Sequence, residues 1–117
     1  MKQNSSCNIV LINNDDMALG ALKAMKDYGY NTGSPGRYIP VVGIDATAPA
    51  IEAMSRSELL GTVLNDADNQ GFAAVRIAVV AADEKSVTDE SIGYKVTDGK
   101  YIWIPDIKIT QENYRDF

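Results

Sequence analysis

The sequence contains no histidine and a single cysteine, Cys7. Without an imidazole, the usual zinc sites and the histidine-dependent catalytic triads are excluded, and one thiol forms neither an internal disulfide nor a multi-cysteine metal site. Basic residues are also scarce: 11 Lys and Arg stand against 16 Asp and Glu, for a formal charge of −5. That balance supplies no cationic footprint for a phosphate backbone or an anionic lipid surface, so nucleic acid is not an expected partner. No apolar run approaches the roughly 20 residues needed to cross a bilayer. The longest candidate, Phe72 to Ala82, is interrupted by Arg76. The opening MKQNSSC turns polar after one lysine and lacks the apolar stretch of a signal peptide. What remains is 117 residues, 45% hydrophobic and 23% charged, the composition of one ordinary globular domain. A chain of this size buries about two thirds of its unfolded surface, so size alone requires no metal or disulfide staple.

Apolar runs and helical spacings alternate along the chain. NIVLI, Asn8 to Ile12, suits a strand buried on both faces. From Asp15 the residues Ala18, Ala21, Leu22 and Met25 recur at three- and four-residue spacing, which predicts a helix ending near Tyr28 and Gly29, with Asp15 and Asp16 at its positive end. NTGSPGR, Asn31 to Arg37, reads as an exposed loop. PVVGID, Pro40 to Asp45, predicts a second strand, followed by a helix from about Ala48 to Arg56. LLGTVLND, Leu59 to Asp66, predicts a third strand. The helix after it, Asp66 to Ala82, carries a broad apolar face of Phe72, Val75, Ile77, Ala78 and Val79. Three such cycles imply an α/β fold: a three-layer parallel sheet with right-handed crossovers. After Asp83 the pattern changes. YKVTDGKYIWIP places Asp98-Gly99 between β-rich arms and predicts a C-terminal antiparallel hairpin. The closing ITQENYRDF offers Thr110 as the cap of a short helix, or frays.

In open α/β sheets, ligands bind beyond the carboxyl ends of the strands. All three ends are polar here: Asn13, Asn14, Asp15 and Asp16 after the first, Asp45 after the second, Asn65 and Asp66 after the third. Carboxylates accept and amides both donate and accept, a mixture that matches a polyhydroxylated ligand. Each residue also has a purely structural reading. Asp15, Asp16 and Asp66 read first as helix caps. Asp45 is less needed for capping because Thr47 is available. Cys7 is expected as a buried or edge thiol with no activating base, and Trp103 with its neighbouring tyrosines as packing of the hairpin against a sheet, with sugar stacking the lesser alternative.

Two enzyme readings fit this layout less well. A phosphoacceptor domain of the response-regulator kind also places paired acids after its first strand. It needs a lysine at a later strand end, where this chain has Leu64, Asn65 and Asp66. Hydrolysis by a carboxylate pair such as Asp15 and Asp45 finds no residue marked out as the acid.

NNDDMALGALKAM, PVVGIDATAPAIEAM and LLGTVLNDADNQG, in that order and with those separations, resemble the C-terminal part of a type I periplasmic sugar-binding protein, nearest to the galactose/glucose-binding branch that serves ABC transport and chemotaxis. The resemblance covers nearly the whole chain, including the DGK hairpin and NYRDF. NDDMALGA alone is shared with the effector domains of LacI-type sugar-responsive regulators, which remain the alternative family.

By this resemblance the sugar-binding residues are Asn14, the second Asn of the NND motif, then Asp45, and Asn65 of the VLND motif. The resemblance further implies that the protein is not an enzyme. Its parent would be extracytoplasmic, in the periplasm or lipid-anchored at the cell surface, where it would capture a galactose- or glucose-like monosaccharide by hinge closure and hand it to ABC importer membrane subunits. On the same grounds the chain is a fragment, 1–117, of the C-terminal lobe, with 65–84 crossing the hinge and 92–109 forming the hairpin that returns. In the family the aromatic residues that stack on the sugar precede this region. Apolar faces made for absent partners would promote association or segment exchange between copies. No cofactor is expected. The galactose/glucose branch carries a calcium loop, but the position of its strand carboxylate is Asn8 here and the loop is not in this sequence, so calcium belongs at most to the full-length parent. The NTGSPGRYIP loop is longer than the family connection.

Overall fold

The computed structural model describes residues 7–117. The chain alternates as its apolar periodicity requires: β1 (Val10–Leu11), α1 (Asp15–Asp27), β2 (Val41–Val42), α2 (Ala48–Ser55), β3 (Thr62–Leu64) and α3 (Ala67–Ala82). A short α4 (Asp89–Ile92), the ribbon β4 (Val96–Thr97) and β5 (Tyr101–Ile102), strand β6 (Ile107–Ile109) and a 3-10 turn (Tyr114–Asp116) come after it. Contacts divide the described residues into two compact units, the first comprising those up to Asn65 together with 107–117 and the second 66–106.

In the first unit β1 and β2 pair in parallel, Val10 with Val41 and Leu11 with Val42. Backbone bonds join β2 to β3: Leu60 N–H to the Val41 carbonyl, Gly43 N–H to Gly61 and Asp45 N–H to Val63, at 2.8–3.1 Å. Strand β6 adds to β3 antiparallel, with Thr62 opposite Ile109. The order across the sheet is therefore β1, β2, β3, β6, and each parallel step is bridged by a helix. Helices α1 and α2 pack on each other over one sheet face, where Ala18, Leu22, Val41, Ala50, Ala53, Met54, Leu59 and Ile109 form a core with at most 2% of any residue exposed. Away from this core, Leu11, Val42, Ile44, Leu60 and Val63 line an open apolar groove of about 560 Å³ that Lys108 also borders. Leu11 is 72% exposed there.

Local chemistry sets the element ends. Asn14 caps α1, its side-chain oxygen accepting from Met17 N–H at 3.2 Å, and Pro49 occupies the first turn of α2, where its missing N–H costs nothing. The loop 31–38 is open as expected, and the Asn31 amide ties it to Ile39 through two 2.8 Å bonds.

The end of α1 is clipped to the α2–β3 connection by Lys26 Nζ and Glu58 Oε1 at 2.5 Å, with Arg56 on the second oxygen at 3.3 Å. The Lys26 hydrogen bond is the main reason the Glu58 carboxyl titrates below its ordinary value of 4.5. A depressed folded-state pKa means that this stabilisation is complete above the unfolded value and disappears as pH falls through the folded one. Glu58→Gln is expected to cost about 0.5–1 kcal/mol at pH 7 and nothing at about pH 2, the range of a partly exposed pair. Urea midpoints at the two pH values check this, and an equal loss at both would refute it.

Several expectations fail in the second unit and near the two ends of the chain. The apolar face predicted for α3 is not the one it buries: Ala73 and Val80 are buried, whereas Phe72, Val75 and Val79 are 57–63% exposed. The unit has too few elements to cover the stripe that the helical spacing marks out. The predicted hairpin exists, with Asp98 and Gly99 both at positive φ and Lys100 N–H closing onto the Thr97 carbonyl at 3.0 Å. Its Trp103 stacks on Tyr101 at 5.8 Å but is 72% exposed, so it does not pack the ribbon against a sheet. Helix α4, capped reciprocally by Thr88 and Ser91, is too short for periodicity to reveal. The tail turns at Thr110, whose Oγ1 accepts from Glu112 N–H at 3.3 Å while Asn113 Oδ1 accepts from Thr110 N–H at 2.7 Å, but the regular 3-10 turn starts only at Tyr114, after Asn113. Cys7 is exposed ahead of β1, not buried.

Candidate functional site

The polar residues nominated at the strand ends separate into distinct roles. Asn14 and Asp45, 31 residues apart in sequence, meet where β1 and β2 end: Asn14 Nδ2 donates to Asp45 Oδ2 at 2.8 Å. Because Asn14 Oδ1 already accepts from Met17 N–H, the amide orientation is fixed from both sides. One Nδ2 hydrogen of Asn14 and the Oδ1 atom of Asp45 then have no hydrogen-bond partner among the described residues. Both side chains are half-buried. The pair therefore presents a donor and an anionic acceptor side by side, which suits hydroxyl groups on neighbouring carbons of a ligand.

The turn that delivers Asp45 is strained. Asp45 (φ 113°) and Ala46 (φ 56°) both lie in the left-handed half of backbone space, which side chains with a Cβ rarely adopt. Three successive amides hold the turn: Asp45 N–H bonds to the Val63 carbonyl at 2.8 Å, Ala46 N–H to Thr62 Oγ1 at 3.3 Å and Thr47 N–H to Asp15 Oδ2 at 2.8 Å. Thr47 precedes α2 but makes no side-chain cap bond, contrary to the role expected of it, and its Oγ1 is buried without a hydrogen-bond partner among the described residues.

Asp15 is not a helix cap either, since Asn14 has that place. Its carboxylate is fully buried and accepts from Thr62 Oγ1 and from Thr47 N–H, both at 2.8 Å. Sequence reasoning passes over Thr62, a β-branched residue unremarkable within an apolar strand. Asp16 is exposed in the first turn of α1. Asp66 does cap α3: it accepts from the Asn69 side chain at 2.6 Å and from Asn69 N–H at 2.9 Å, and these bonds, the side-chain one first, hold its carboxyl below the ordinary range. Asn65 is exposed directly after β3, two residues beyond the Val63 carbonyl that receives the Asp45 amide.

Among the described residues no three His, Cys, Asp or Glu side chains are grouped to hold a metal ion. A polar cleft of about 630 Å³ lies between the 31–38 loop and Arg56–Glu58, and its charged groups are already paired with one another.

Residues 1–86 match the family described as periplasmic binding protein domain. The chain belongs to that family. This periplasmic binding protein chain is 38% identical over 109 residues to a D-galactose/methyl-galactoside binding periplasmic protein of Haemophilus influenzae, an alignment covering 93% of this chain and 30% of that protein. It is 29% identical to a xylitol-binding protein of Mycolicibacterium smegmatis, over 91% of this chain and 33% of that protein. An ABC transporter solute binding protein from Bacillus halodurans, solved with bound myo-inositol, matches with a TM-score of 0.74 and 36% identity, over 93% of this chain and 32% of that one. The periplasmic binding protein chain thus spans about a third of the length of these relatives. Its fold is part of the type I sugar-binding architecture expected from the three motifs.

Proposed function

We propose that this chain supplies one wall of a sugar site in a solute-binding protein, whose full-length form captures a galactose- or glucose-like monosaccharide by hinge closure and delivers it to an ABC-type importer outside the cytoplasm. The observation that carries this reading is the Asn14–Asp45 pair, oriented at the carboxyl ends of two adjacent parallel strands with donor and acceptor capacity to spare. Asn65, at the end of the third strand, joins them as the further hydroxyl ligand. The ligands named for the relatives, a galactoside, xylitol and myo-inositol, are all uncharged and rich in hydroxyls. A site that pairs each hydroxyl rejects an analogue that would leave a buried polar group unpaired. The division of the chain at Asn65 and Ile107 supports two crossings between lobes in the full-length protein, the first near residue 65 and the second at the end of the hairpin segment.

Calorimetric titration of the full-length protein with D-galactose, D-glucose, xylitol and myo-inositol tests the reading. Asp45→Ala removes a charged acceptor worth about 1.5–3 kcal/mol per hydrogen bond, so affinity for the preferred ligand is expected to fall about a hundredfold. If Asp45→Ala binds as tightly as the unmodified protein, the site is elsewhere.

A further inference from the structure

The carboxylate of Asp15 is fully buried and faces no lysine or arginine at ion-pair distance among the described residues. Burying a charge without a counter-charge is costly, and such groups persist where their hydrogen bonds are needed. Here the bonds converge on one feature. Asp15 Oδ2 takes the Thr47 amide directly, and Asp15 Oδ1 takes the Thr62 hydroxyl, whose oxygen in turn takes the Ala46 amide. Asp15 N–H also donates to the Ile44 carbonyl at 2.8 Å, so the chain is held on both sides of Asp45. Two of the three amides that keep the left-handed Asp45–Ala46 turn in place therefore depend on this one side chain. Its sequence neighbour, Asn14, is the residue that Asp45 meets.

We propose that Asp15 is a positioning residue for the ligand pair: working through Thr62, its buried carboxylate holds the strained Asp45–Ala46 turn and so aims the Asp45 carboxylate at Asn14 and at the bound hydroxyls. The proposal rests on the reading of Asn14 and Asp45 as sugar ligands, and extends it to a residue that touches no ligand. Ordering the turn before the ligand arrives removes that entropy from the cost of binding.

The test uses the full-length protein with the same four ligands, together with amide hydrogen exchange on the ligand-free protein. Asp15→Ala is expected to weaken binding at least about tenfold and to speed exchange of the Ala46 and Thr47 amides by a similar factor, with the amides in the middle of α1 unchanged. Asp15→Asn rescues binding to within about threefold. Its oxygen still takes the fixed Thr47 N–H, and the Thr62 hydroxyl rotates to accept from the new amide. In an Asp45→Asn background, Asp15→Ala should cost less than about twofold, because a residue that acts through Asp45 loses its effect when Asp45 is altered. An unchanged affinity in a folded Asp15→Ala protein, or an equal loss in both backgrounds, overturns the proposal. Should Asp15→Ala fail to fold, Thr62→Val severs the relay alone and is expected to weaken binding about fivefold with the same dependence on Asp45. No loss in that variant is likewise decisive against it. If the unmodified protein binds none of the four ligands, the sugar-site reading fails. The exchange rates then still decide whether Asp15 holds the turn, and unchanged exchange refutes it.

Discussion

Gly43→Ala should destabilise the first unit by about 3 kcal/mol, at the upper end of what one added methyl group does in a packed interior. A β-carbon at residue 43 would lie 2.1 Å from Asp15 Oδ1 and 3.2 Å from the Asp15 Cα. The carboxylate cannot swing away freely, since it is fully buried and bonded to both Thr47 N–H and Thr62 Oγ1. Either the backbone of β2 moves off α1 or the carboxylate gives up its partners and remains buried, and both are expensive. Gly20→Ala is the matched control. Nothing lies within 4 Å of a β-carbon there, and the residue sits inside α1, so alanine should stabilise the helix by about 0.5–1 kcal/mol. Urea unfolding followed by far-ultraviolet circular dichroism measures both. A Gly43→Ala protein within about 0.5 kcal/mol of the unmodified one, the range of an inconsequential surface change, would show that the contact relaxes freely.

The contact between Gly43 and Asp15 also marks the limit of what the sequence discloses. The alternation of strands and helices is legible because buried parallel strands are apolar throughout and amphipathic helices repeat every 3.6 residues or so. All of β1 through α3 come from it, although the paired strands are shorter than the apolar runs that predict them. The rule that ligands gather at strand ends nominates the same polar positions, and the fold brings Asn14 and Asp45 into contact. What the sequence does not disclose is which acid does what. Asp15 and Asp16 are adjacent and chemically identical, yet one is fully buried and the other is exposed. That difference arises from residues 32 and 47 positions away, Thr47 and Thr62, and no local pattern encodes it. The second unit misleads for a related reason. Helical spacing on α3 marks an apolar stripe but not its cover, so a sequence cannot distinguish a buried stripe from the exposed Phe72, Val75 and Val79.

The same distinction between spacing and cover makes Met54→Ala the sharpest test of where the core lies. Met54, on α2, is fully buried in the cluster that includes Leu22, Val41, Leu59 and Ile109. The carbonyl of the same residue accepts from Gln111 Nε2 at 3.0 Å, which draws the segment after β6 against α2. Truncation leaves a cavity that surrounding elements cannot easily fill, because the end of α2 is tied to the chain entering β3 by backbone bonds from Glu58 and Leu59 to the Ala53 carbonyl. The expected cost is about 3 kcal/mol, the transfer free energy of the lost atoms plus the cavity. Met17→Ala, at a residue 61% exposed on α1, should change stability by less than about 0.5 kcal/mol. Because the chain comprises two compact units, the loss belongs to the first and need not appear in the second. The single tryptophan, Trp103, lies in the second unit and is mostly exposed, so its fluorescence is the wrong probe. Hydrogen exchange of the α1 and α2 amides reads the first unit directly. Protection there that survives Met54→Ala undiminished would mean that the core is held elsewhere than in this cluster.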